Sequence, residues 1–186
     1  MATRKARERR TTMALELSEK MRRARLVFYE QDIEEINKIL AEFLDRSQAK
    51  CALLVDKEGH LVTKKGFTKS FNTDSIAALV AGSFAATKQV AQLLGETEFT
   101  VLFHQGKNEN IHIALVAERA LVVVIFDDRT TLGMVRLYAD ELTQKLTESM
   151  LRSFERNKDK DEGVGQDFVA AADQALDDFF GPSEKK

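Results

Sequence analysis

The sequence predicts an α/β domain built on a five-stranded, mainly antiparallel sheet sandwiched between helices. Three observations carry this. The apolar period switches between helical and strand spacing in the order helix, two strands, helix, three strands, helix. Tight turns, DKEG at 56–59 and GKNEN at 106–110, join strand pairs, and a single helix intervenes among the five strands, so parallel crossovers have little room. Finally ALVVVIF, residues 120–126, is apolar at every position, as a central strand covered on both faces must be.

The bounds agree with one folded domain carrying tails. The chain has 186 residues, of which 44% are hydrophobic and 31% charged, which excludes wholesale disorder. No apolar run approaches the ~20 residues of a membrane helix, so no integral membrane segment is expected. Residues 1–25 hold nine Lys or Arg against three Glu, a local net charge of +6 in a chain of net −2. This basic arm lacks the apolar core of a signal peptide, which points to a cytoplasmic protein. It reads as a disordered or helical tail: Leu17, Met21, Ala24 and Phe28 recur at helical spacing, and a solvated arm is favoured over one that touches nucleic acid or membrane. The domain proper is expected over 26–154.

Its elements follow in order. Over 29–46, Ile33, Ile36, Leu40 and Phe43 form a helical stripe with Gln31, Glu34, Glu35 and Lys38 on the wet side. Residues 51–55 and 60–65 are strands of a hairpin whose turn needs Gly59 at positive φ. Cys51, within an apolar strand, reads as a buried structural thiol. A polar loop leads to Asn72 and Thr73, either able to cap a helix over 74–94, with Gly95 as its stop. Strands follow at 99–105, 111–117 and 120–126. A last helix runs to about Phe154 with Val135, Tyr138, Leu142, Leu146 and Met150 inward.

The helix over 74–94 has two faces without charge. Ile76, Leu79, Val80, Ser83, Thr87, Val90 and Leu94 make one stripe, expected to pack on the sheet. Opposite lie Ala77, Ala78, Ala81, Gly82 and Ala85, with Lys88 the first charge. A glycine in mid-helix costs about 1 kcal/mol relative to alanine, which suits a closely approaching backbone. The small-residue face is therefore expected to meet another protein, the alternative being a helix doubly buried in one core.

Residues 155–166 are charged, contain glycine and lack apolar periodicity, and read as a flexible linker. Over 167–181, Phe168, Ala172, Ala175, Leu176 and Phe179 share a helical face, followed by Phe180 and the stop at Gly181 and Pro182. Such a short helix is marginal alone. It reads as an acidic, aromatic motif that folds on a partner, the alternative being docking on its own domain.

Catalytic constellations are not seen. His60, His104 and His112 are too dispersed, with one cysteine, to suggest a metal site, and no phosphate-binding glycine loop is present, so no cofactor is expected. Asp127 and Asp128, before Thr130 and Thr131, read as helix caps, the alternative being an acid–base pair or a metal site, and Arg129 in the same loop as an arginine finger only if its tip reached a phosphate.

The element order, with CALLVDKEGHLV, ALVAGSFAATKQVAQLLGE, FTVLFHQGKNENIHIAL and above all LVVVIFDDRTTLGMVRL, resembles the roadblock, or dynein light chain, family over residues 26–144. The terminal LDDFFG resembles the acidic tail motif of bacterial members. The resemblance implies one helix on one sheet face and two on the other, and a homodimer formed through the middle helix and an adjoining edge strand. It implies a small Ras-like GTPase as partner, bound across the paired middle helices and stimulated in GTP hydrolysis by reorientation of its own catalytic residues. The chain would then be an activator with no active site, working in cell polarity and motility, in the cytoplasm and at a cell pole. By position Ala78, Ala81, Gly82, Ala85 and Lys88 would lie at or near the composite surface. Phe168, Leu176, Phe179 and Phe180 would form a second contact that influences nucleotide affinity or exchange. A scaffold that assembles partners without activation is the alternative. The basic arm falls outside the resemblance.

Overall fold

The computed structural model describes residues 28–180, with side chains through Arg156. The described residues divide into two compact units, the first ending at Leu151 and the second beginning at Arg152. The basic arm lies outside the described residues, as does the stop expected at Gly181.

Helix α1, Glu30–Ser47, begins where the Tyr29 N–H donates to the buried carboxylate of Asp32 at 2.9 Å, satisfying a donor at the helix entrance. Ile36, Leu40 and Phe43 are buried, as the stripe predicts. Strands β1 (Cys51–Asp56) and β2 (Leu61–Gly66) form the first hairpin. Gly59 in its turn has φ +94°. Helix α2, Thr73–Leu93, is capped by Asn72, whose side-chain oxygen accepts from the Ser75 N–H at 3.1 Å, which resolves the choice between Asn72 and Thr73.

Strands β3 (Val101–Gln105), β4 (Asn110–Val116) and β5 (Ala120–Phe126) complete a sheet of order β2-β1-β5-β4-β3, antiparallel at every pairing. β5 is central and wholly buried, as its unbroken apolar run requires. The edges are β2 and β3.

Because side chains alternate along strands, the register assigns the faces. Cys51, Leu53 and Val55 lie beside Ile125, Val123 and Leu121 and form one core with Ala77, Val80, Ala81 and Phe84 of α2. The other face, with Ala52, Leu54, Val122 and Val124, is covered by α1 and the start of α3, whose Val135, Ala139, Leu142 and Leu146 are buried. This is the one-and-two layering that the resemblance implies. Tyr138, expected inward, is half-buried instead and lies under the Arg46 guanidinium, 4.7 Å from its ring centre, while Ala139 takes the inward position.

Helix α3 corrects the expected end. It runs over Leu132–Phe180, 49 residues, so the backbone of 155–166 is helical where composition suggested a linker. Glu155, Arg156, Lys158, Lys160 and Glu162 are good helix formers, and Gly163 and Gly165 cost only about 1 kcal/mol each, so charge content alone does not break a helix. The helix start is also different in detail. Thr131 caps it, its hydroxyl accepting from the Met134 N–H at 3.3 Å, whereas Asp127 turns back on its own loop and accepts from the Arg129 N–H at 3.2 Å.

Candidate functional site

Helix α2 carries the candidate site, and the structure divides both expected stripes between the sheet and solvent. Ala77 and Ala81 of the small-residue side pack on the sheet with Phe84 while Ala78, Gly82 and Ala85 stay exposed, and of the other stripe Leu79 is 74% exposed and Val90 51%. Of the stripe expected on the sheet, Val80 is buried, Ile76, Ser83 and Thr87 are partly so, and Leu94 is exposed. The cause is Gly59. A Cβ placed there would lie 3.0 Å from the Ala78 Cα and 3.6 Å from the Ala81 Cβ, so the β1–β2 turn comes so near to α2 that only small side chains fit. Within the chain, the close approach to α2 is made at Gly59. Gly82 itself faces open space, with nothing within 4 Å of a Cβ.

The outward face is therefore Ser75, Ala78, Leu79, Gly82, Ala86, Gln89 and Leu93, all exposed and uncharged over the length of the helix. Ala85 is exposed on its flank, and Lys88 is exposed on the Ala81 side, toward the end of the helix. Ala81 is 4% exposed and belongs to the chain's own core, so it leaves the candidate surface. Phe168, Leu176, Phe179 and Phe180 lie on the helical backbone of α3, and their side chains are outside the described residues.

Periodicity missed Leu79, Val90 and Leu93 as surface residues because both sides of α2 are apolar or small. Leu93 is 87% exposed, a large cost in water for an uncovered leucine. One signal could have found them: a turn glycine beside a helix of alanines marks close packing, so the larger residues are the free ones. Edge strand β3 follows α2 after a short connection pinned by the Lys57–Glu98 ion pair at 3.4 Å. Its residues, VLFHQ, carry no Lys, Arg, Asp or Glu, and Val101 is 43% exposed.

The groups that suggest chemistry are engaged structurally. Arg129 Nε donates to Asp127 at 2.8 Å, and this bond holds the Asp127 carboxyl below its ordinary range. Burial pushes the Cys51 thiol up to about 11, leaving it protonated and unreactive at neutral pH. His112, nearly enclosed, is pushed below the ordinary histidine value by burial and then by Arg136, and its Nδ1 has no hydrogen-bond partner. Among the described residues, no group of His, Cys, Asp and Glu could hold a metal ion, and no helix is long and apolar enough to cross a membrane.

A five-stranded antiparallel sheet with one helix on one face and two on the other, and a middle helix with an uncharged outward face, defines a class. A model of the Roadblock/LC7 domain matches residues 35–126. The chain belongs to the Roadblock/LC7 family. Within that family it is similar to MglB. Myxococcus xanthus MglB is 39% identical, covering 69% of this chain and 96% of that one, with a TM-score of 0.64. The gliding protein MglB of Thermus thermophilus is 34% identical, covering 67% and 95%, also at 0.64. An MglB described in a tetrameric arrangement is 33% identical, covering 69% and 96%, at 0.66.

Proposed function

We propose that this chain is an MglB-like activator of a small Ras-like GTPase of the MglA type. Two copies pair through β3 and α2, and the GTPase sits across the two outward helix faces. The observation that carries this is the uncharged outward face of α2, with Leu79 and Leu93 uncovered, in a chain similar to MglB along nearly that protein's whole solved length. Those apolar groups gain by burial against a second copy or a partner. The tetrameric arrangement of one relative supports self-association in this architecture.

Activation in this reading needs no arginine from this chain. The GTPase's own catalytic residues are reoriented, which makes this chain a regulator and not an enzyme. The pairing of Arg129 with Asp127 supports that, since a finger must leave its partner to reach a phosphate. The segment with Phe168, Leu176, Phe179 and Phe180 makes a second contact that tunes nucleotide affinity or exchange. The activity belongs to the cytoplasm and a cell pole, in polarity and motility.

The test is GTP hydrolysis by the MglA-like GTPase with and without this chain. Stimulation is expected, and Arg129→Ala should retain it within tenfold, whereas loss of a true finger costs about 10³ to 10⁵. Binding without stimulation would favour a scaffold instead.

A further inference from the structure

The end of β2 and the loop that leads to α2, KKGFTKSF over residues 64–71, present an aromatic ring to solvent on a fixed backbone. Phe67 is 55% exposed. Its N–H donates to the Lys50 carbonyl at 2.9 Å, and the Phe71 N–H closes a turn on Thr68 at 3.1 Å. Gly66 takes φ +89°, and a Cβ there would lie 2.5 Å from the Lys50 oxygen, so the chain is forced into one path before Phe67. The Lys50 ammonium sits 5.8 Å from the Phe67 ring centre and 5.2 Å from that of Phe71, while Phe71 packs against the α2 core.

The charge around this ring is one-sided. Lys50 is paired with Glu109, but the Lys64 ammonium donates to the neutral Thr73 hydroxyl at 2.8 Å. Among the described residues, Lys65 and Lys69 have no ion-pair partner. Lysines on an edge strand do guard against strand pairing, which accounts for Lys64 and Lys65 in part. It accounts neither for Lys69, which lies beyond the strand, nor for an aromatic ring held outward by glycine geometry.

We infer that this loop is a second docking element for the GTPase: Phe67 enters an apolar pocket rimmed by carboxylates, and Lys64, on the α2 face of the sheet, and Lys69 attract that rim. The inference rests on the function proposed above and extends its surface from the outward face of α2 to the loop that leads into its capped end. A protein pocket fits better than a membrane for two reasons. The ring is pre-organised, which is what a central anchor of a protein interface requires. The lysines also number fewer than the ~4–8 basic residues of a lipid-binding cluster.

The test measures binding of the MglA-like GTPase, loaded with a non-hydrolysable GTP analogue, to the full chain, to Phe67→Ala and to Lys69→Glu. Melting temperature and sedimentation should match the parent for both variants, since Phe67 and Lys69 are both exposed. Phe67→Ala should weaken binding about tenfold. The charge variant should slow association, with the difference shrinking as salt rises. Equal affinity of all three proteins would overturn the inference while leaving the parent reading intact. A parent chain that binds the GTPase in no nucleotide state would overturn both. Vesicles of anionic and of neutral lipid form the remaining arm: recruitment to anionic vesicles that Phe67→Ala abolishes, with GTPase binding unchanged, would assign the loop to a membrane and overturn the inference.

Discussion

Strands β2 and β3 are the two edges of one sheet, and they are finished in opposite ways. β2 ends in Lys64, Lys65 and Gly66 and leads to a lysine-bearing loop, while its Thr63 hydroxyl donates to Asn37 of α1 at 2.8 Å. β3 carries no charged residue and lies next in sequence to a helix whose outward face has none either. An open edge is a template for pairing, and charge, lysine above all, is the usual guard. The difference teaches that exposure alone does not mark an interface. The guarded edge is closed to strand pairing, and the unguarded edge, continuous with an uncovered apolar helix face, is the one that the proposed dimer uses.

The largest effect should come from Gly82→Arg. Open space around Gly82 lets the monomer keep its fold, but the side chain would be buried unpaired between protomers at a cost of several kcal/mol. Sedimentation should show a monomer with nearly parental melting temperature, and GTPase stimulation should be lost. A stable dimer of this variant would mean that the α2 face is not the contact.

Moving the guard should have the next largest effect. Val101→Lys with His104→Lys gives β3 the character of β2, and dimer dissociation should rise by ten- to a hundredfold, about 1.4 to 3 kcal/mol, with the monomer unaffected. The reciprocal change, Lys64→Val with Lys65→Val, should add concentration-dependent association beyond the dimer, read by light scattering.

Gly59→Ala probes the β2 side without touching the pairing edge. The residue has φ +94° and its Cβ would press on the Ala78 backbone, so unfolding free energy should fall by about 1–3 kcal/mol in denaturant titration while dimer affinity stays put. That separation between stability and association is the comparison in its sharpest form.

Much of this was legible in the residues. The buried run of β5, the turn at Gly59 and the capped start of α2 each rest on a local rule, and local rules survive folding. The inward side of α2 was not legible, because Ala77 and Ala81 on one side and Leu79 and Val90 on the other are all compatible with burial. Contacts between distant elements, the packing on the sheet and the approach of the β1–β2 turn to Ala78 and Ala81, decide which side faces in. The helix through 155–166 was missed for a different reason: Glu and Lys serve a solvated helix as well as they serve a linker.

The smallest effect concerns pH. His112 pairs with Phe103 of β3 and faces α3, where Arg136 lowers and Asp140 raises its proton affinity, burial being the largest influence and lowering it. With the folded value depressed, the unfolded chain binds the proton more readily, so stability is lost as pH falls below the ordinary value near 6.5. Melting temperature should drop between pH 7.5 and 5.5 more in the parent than in His112→Leu. Equal slopes would mean that this histidine does not titrate with folding.

The most direct measurement of the central claim is single-turnover GTP hydrolysis by the MglA-like GTPase, titrated with this chain. The expected result is a stimulated rate that saturates at two chains per GTPase, is abolished by Gly82→Arg and survives Arg129→Ala. Saturation at one chain per GTPase with Gly82→Arg fully active would contradict it, as would no stimulation at any ratio.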